Sequence, residues 1–93
     1  FLNEAHEYAS IGFVPAGTHN NRTFRAPMVD ISPSVDPVLQ DILFDPQTSG
    51  GLLISVEADR ADALLTVLKE KGISFSAVIG HVIYKPRGKI VVT

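Results

Sequence analysis

Two short clusters carry the residue types that meet phosphates. One is Asp45-Pro46-Gln47-Thr48-Ser49-Gly50-Gly51, where two hydroxyl side chains precede a glycine pair. The other is Val14-Pro15-Ala16-Gly17-Thr18-His19-Asn20-Asn21. Gly17, Thr18 and Asn21 can present amide and side-chain donors to an anion, as backbone nests do. In the first cluster the order of elements argues against a lone phosphate cradle. A P-loop runs from strand through glycines into the positive end of a helix. Here the glycines follow a helical pattern and lead into an apolar run, so the neighbouring helix offers its negative end. A tight helix-to-strand reversal with Gly50 or Gly51 at positive φ accounts for the pattern. Thr48 and Ser49 lining a cleft completed from outside the chain is the other reading.

The remaining chemistry is sparse. His6, His19 and His81 are scattered over different predicted elements, with no i, i+4 pairing and no adjacent carboxylate cluster, so no metal ligand set is expected. Asp41 and Asp45 read as a solvated edge and a cap. Lys85, Arg87 and Lys89 read as a charged rim at one turn. No nucleophile stands beside a base, and no residue is assigned a catalytic role.

The elements that must position these groups follow from periodicity. Leu2, Ala5 and Ala9 predict a helix over Leu2–Ser10, with Gly12 as its left-handed stop. Gly12 to Phe24 reads as a loop, because turn formers crowd it and no apolar period survives. Phe24 to Ile31 reads as a short edge strand, since Pro27 cannot serve a central one. Val35, Val38, Leu39, Ile42 and Leu43 form a complete helical stripe, capped by Ser34 or Asp36 and ended before Pro46. Gly51–Val56 is almost wholly apolar and predicts a strand buried on both faces. Glu57–Gly72 predicts a helix, with Ala61, Leu64, Leu65 and Leu68 on one face and Gly72 as its stop. Phe75–Tyr84 and Lys89–Thr93 predict antiparallel strands joined through a Pro86–Gly88 hairpin, with a bulge or close backbone approach at Gly80. The sum is an α+β architecture, a mixed sheet covered by helices.

Bulk composition limits the function classes. The 93 residues are 45% hydrophobic and carry a net charge of −2, without cysteine or tryptophan. That predicts one domain with a modest core, burying ~60–65% of its unfolded surface. Polyanion binding needs a clustered basic surface, so no nucleic-acid partner is expected. No apolar run approaches the ~18 residues of a membrane span and no signal pattern is seen, so no membrane partner and a cytoplasmic address are expected. The absence of cysteine leaves no disulfide framework and no thiolate zinc site. Phe1 opens the chain without an initiator Met and inside a helical pattern, which leads us to expect a fragment of something longer.

The nine residues Asp45 to Leu53, together with Val14, Pro15, Gly17, Thr18 and Asn21, resemble the carboxy-terminal region of the selenophosphate synthetase family, also called selenide, water dikinase. The resemblance covers nearly the whole chain. Ala16 stands where the family's small-residue turn has a glycine, so position 16 does not require positive φ. The resemblance implies the fold of the carboxy-terminal domain of the aminoimidazole ribonucleotide synthetase superfamily. It also implies a parent enzyme that uses ATP, magnesium and selenide to make selenophosphate, with release of AMP and phosphate. The family's reactive cysteine or selenocysteine, its lysine and its metal-binding aspartates lie in earlier segments. This chain is therefore expected to bind neither cofactor alone. Its expected partners are the amino-terminal ATP-handling domain of the same polypeptide and a second copy in a homodimer. Gly17, Thr18, Asn21, Thr48, Ser49, Gly50 and Gly51 are the candidate cleft-lining residues. The alternatives are a stand-alone α+β binding module without activity and a thiamine-monophosphate-kinase-like enzyme, the latter disfavoured by the Gln47–Gly51 block.

Overall fold

Helix termini are set by chemistry that the sequence displays, and the computed structural model, which describes residues 1–93, shows how. Helix α1 spans Ala5–Ser10, shorter at its front than expected. Gly12 follows it at φ 90°, its amide bonded to the Ala9 carbonyl, while the Phe13 amide reaches the Tyr8 carbonyl. That pair of bonds is a Schellman motif, and its apolar clasp is the edge-on contact of Tyr8 with Phe13 at 6.3 Å. Helix α3 spans Pro37–Leu43, with Pro37 in the first turn and the Asp36 carboxylate accepting from the Val38 amide at 3.0 Å. It ends before Pro46, as that proline requires.

The predicted loop from Gly12 to Phe24 is in fact mostly helix: α2 spans Ala16–Arg25. Pro15 supplies an extended lead-in (φ −60°, ψ 144°), and the Thr18 amide closes the first turn on its carbonyl. A 3-10 turn over Ala26–Met28 holds Pro27, and strand β1 is only Val29–Ile31. β1 pairs in parallel with β2, Ile90–Val92, in the register Val29 with Ile90, Asp30 with Val91 and Ile31 with Val92. The Ser32 amide continues the ladder to the Val92 carbonyl, and Lys89 Nζ meets Asp30 Oδ1 at 2.8 Å. Lys89, read as part of a charged rim, is thus tied to its neighbouring strand.

The chain forms two compact units. The first comprises Phe1–Ser49 and Lys85–Thr93, and the second Gly50–Tyr84. In the first, α1 and α2 both contact α3, and the buried centre is Phe44 with Thr18. In the second, a 3-10 turn over Ala58–Arg60 leads into α4, Ala61–Glu70. Ala61, Leu64, Leu65 and Leu68 are its half-buried face, as the stripe predicts. Gly72, at φ 85°, ends α4 in a second Schellman motif, its amide on Lys69 and the Ile73 amide on Leu68.

The α+β composition stands, but the mixed sheet does not. The two-stranded parallel pair is the whole of the sheet. Gly51–Val56 is extended without pairing, and Leu52 and Leu53 are exposed rather than doubly buried. Phe75–Tyr84 forms no strand, so the hairpin through Pro86–Gly88 is absent. Apolar, β-branched composition gives a segment the capacity for a strand, but only a bonded neighbour makes it one. Gly80 has open space around it, so neither a bulge nor a close approach explains it.

Candidate functional site

The two candidate clusters meet through α2 and the end of α3. Gly17 sits on α2 facing Pro46, and a Cβ built at Gly17 would lie 2.8 Å from Pro46 Cγ and 3.1 Å from its Cβ. Glycine is required there because the proline ring fills the space any side chain would take. One turn on, Asn21 Nδ2 donates to the Phe44 carbonyl at 3.0 Å. That carbonyl belongs to the last turn of α3, where no helical amide remains to serve it. Beside it the Arg22 guanidinium donates to Asp41 Oδ1 at 2.8 Å and to Gln40 Oε1 at 2.7 Å, lying 5.9 Å from the centre of the Phe44 ring. Polar residues that look like loop chemistry therefore make a helix that clamps the segment leading into Asp45–Ser49.

Of the seven predicted site residues, Gly17, Thr18 and Asn21 share α2. They do not form an irregular anion nest, because their backbone amides belong to a regular helix. Thr18 is fully buried, and its Oγ1 has no hydrogen-bond partner. Thr48 and Ser49 are exposed and make no side-chain hydrogen bond within the chain. Gly50 and Gly51 begin the second unit, and neither takes positive φ, which corrects the expected left-handed reversal. Ala16 has an ordinary negative φ at the first position of α2.

Arg22 and Gln40 went unassigned in the sequence, and Pro46 and Asp36 each have a second role beyond ending and capping α3. Asp41, read as a solvated edge, is the ion-pair partner of Arg22. Asp36 also accepts from His6 Nε2 at 2.9 Å, so one carboxylate caps α3 and ties α1 to it. The His6 hydrogen bond, followed by the Val38 amide, holds the Asp36 carboxyl below its ordinary value. Partners 18 to 30 residues apart leave no local signal.

No three His, Asp or Glu side chains converge into a ready-made magnesium site. Asp41 is engaged by Arg22 and Asp36 by His6, which removes two of the carboxylates nearest the site from such a role.

Residues 11–93 match the family model for the AIR synthase related protein, C-terminal domain. The chain belongs to this family. Within it, the chain is 48% identical over 89 residues to a selenide, water dikinase of Pelobacter propionicus, covering 96% of the chain and 26% of that protein. It is 39% identical over 92 residues to a selenide, water dikinase of Clostridioides difficile, covering 99% and 26%. The corresponding protein of Aliarcobacter butzleri is 32% identical over 92 residues, covering 99% and 27%. The chain thus spans about a quarter of the length of these relatives. No solved structure matches it at a significant level. The family membership agrees with the resemblance carried by Asp45–Leu53. No helix is long and apolar enough to cross a membrane.

Proposed function

We propose that this AIR synthase related C-terminal domain belongs to a selenide, water dikinase, a parent enzyme making selenophosphate from selenide and ATP with release of AMP and phosphate. The observation that supports this most is the 48% identity across 96% of the chain to a protein of that name. Within the parent, the domain supplies position rather than reacting groups. Phosphoryl transfer depends almost wholly on positioning and charge neutralisation, which a supporting domain serves by fixing the cleft walls. The α2–α3 clamp fixes where the chain leaves Pro46, and Thr48 and Ser49 follow with unengaged hydroxyls. These face the ATP-handling domain of the same polypeptide, in a homodimeric, cytoplasmic enzyme. Magnesium and ATP are held by residues outside this chain, and no step through either is assigned to it.

Thr48→Ala with Ser49→Ala in the full-length enzyme tests this. AMP release should fall about tenfold in kcat/KM, equivalent to ~1.4 kcal/mol of transition-state stabilisation. Unchanged turnover and nucleotide affinity would leave these residues as a turn only.

A further inference from the structure

Met28 is the only methionine of the chain and is 47% exposed. It closes the 3-10 turn that leads from α2 into β1. Its sulfur faces Arg25 in the last turn of α2, whose Nη1 donates to Sδ at 3.6 Å. The same guanidinium lies 4.9 Å from the centre of the Phe24 ring. Arg22, one turn earlier, has its fork filled by Asp41 and Gln40, whereas Arg25 has no carboxylate partner. A guanidinium carries five N–H donors in a fixed fork, and this one meets only a thioether, which is a weak acceptor, and a ring face. An oxygen on that sulfur would supply the acceptor it lacks. Nothing in the proposed reaction uses either residue.

We propose that Met28 is an oxidation site, at which a hydroperoxide converts the thioether to a sulfoxide that Arg25 holds. A sulfur lone pair attacks one peroxide oxygen, and the S–O bond forms as the O–O bond breaks. With hydrogen peroxide, the proton of the transferred hydroxyl passes to the departing hydroxide, which leaves as water. Sulfur gives up two electrons and the peroxide takes them. The sulfoxide oxygen is a far stronger acceptor than the thioether, so the contact with Arg25 becomes a charge-assisted N–H···O bond. The side chain is unbranched and half exposed, so it can turn that oxygen to the guanidinium. Sulfoxide formation disrupts a core when the methionine lies in one. Here the buried centre is Phe44 with Thr18, and oxidation instead strengthens the link between the end of α2 and β1.

Treatment of the protein with hydrogen peroxide, followed by peptide mass spectrometry and urea unfolding, tests this. Uptake of one oxygen atom at Met28 is expected. The folded-to-unfolded ratio at a fixed urea concentration should then rise about 2- to 5-fold, the range of an exposed charged contact. The Arg25 guanidinium proton resonances should move on oxidation. Arg25→Ala should take up the oxygen without the gain in stability, and Arg25→Lys should keep part of the gain. Each variant is compared only with its own unoxidised form, so a change in its basal stability cancels. A Met28 that stays unoxidised while free methionine in the same solution is consumed overturns the inference. So does an oxidised protein no more stable than the reduced one, or a gain that persists undiminished in Arg25→Ala.

Discussion

The Pro46 ring occupies the place of a Gly17 side chain, 2.8 Å from where its Cβ would stand. Two sequence clusters separated by almost thirty residues are thereby one packed unit, with α2 bearing on the exit from α3. Gly17→Ala gains helix propensity of up to ~1 kcal/mol but must displace a ring fixed to the backbone. Overpacking of this kind costs ~1–3 kcal/mol, so a net loss is expected in urea unfolding. Adding Pro46→Ala should recover most of it, while Gly51→Ala, in open space, should change stability little.

Asn21→Asp keeps the shape but replaces the donor with a carboxylate that cannot serve the Phe44 carbonyl. The expected loss is about 1 kcal/mol or more, because two acceptors then face each other. Asn21→Ala should cost less than Asn21→Asp, and the order of the two unfolding midpoints checks the bond.

Gly72→Ala places a side chain at φ 85°, where L residues are strained, and should cost ~1 kcal/mol. Hydrogen exchange should show the last turn of α4 opening more often, with the Ile73 and Gly72 amides losing protection first.

The legible parts of the sequence were those where several signals agree. In α3 the apolar stripe, Asp36, Pro37 and Pro46 all name the same boundaries, and in α4 the Leu64–Leu65–Leu68 face and Gly72 do so too. The α2 helix was illegible because its support is tertiary: Asn21 and Arg22 bond to Phe44, Gln40 and Asp41, partners that no local window contains. Sheet pairing failed for a related reason. Pro86–Gly88 suggests a hairpin, yet Ile90–Val92 takes Val29–Ile31, some sixty residues away, as its neighbour. Of the candidate site, the residue types were visible but their arrangement was not. Thr18 points to burial rather than to an anion, and Gly17 to packing rather than to a nest.

Asp36 gives the fold a pH dependence with a definite sign. Its carboxyl is held below the ordinary 3.8, chiefly by the His6 hydrogen bond and then by the Val38 amide. A depressed folded value means the contribution is fully present above 3.8 and is lost as pH falls through the lower folded value. Wild-type helicity should therefore drop more steeply than that of Asp36→Asn between about pH 4 and pH 2, followed by circular dichroism at 222 nm. Parallel curves would remove the tether between α1 and α3 from the account.

On the proposed reading, the groups that bind ATP lie in the parent enzyme outside this domain. Calorimetric titration of the 93-residue chain with magnesium-ATP tests it most directly. No saturable heat is expected; saturable binding in the micromolar range, with magnesium required, would overturn that reading.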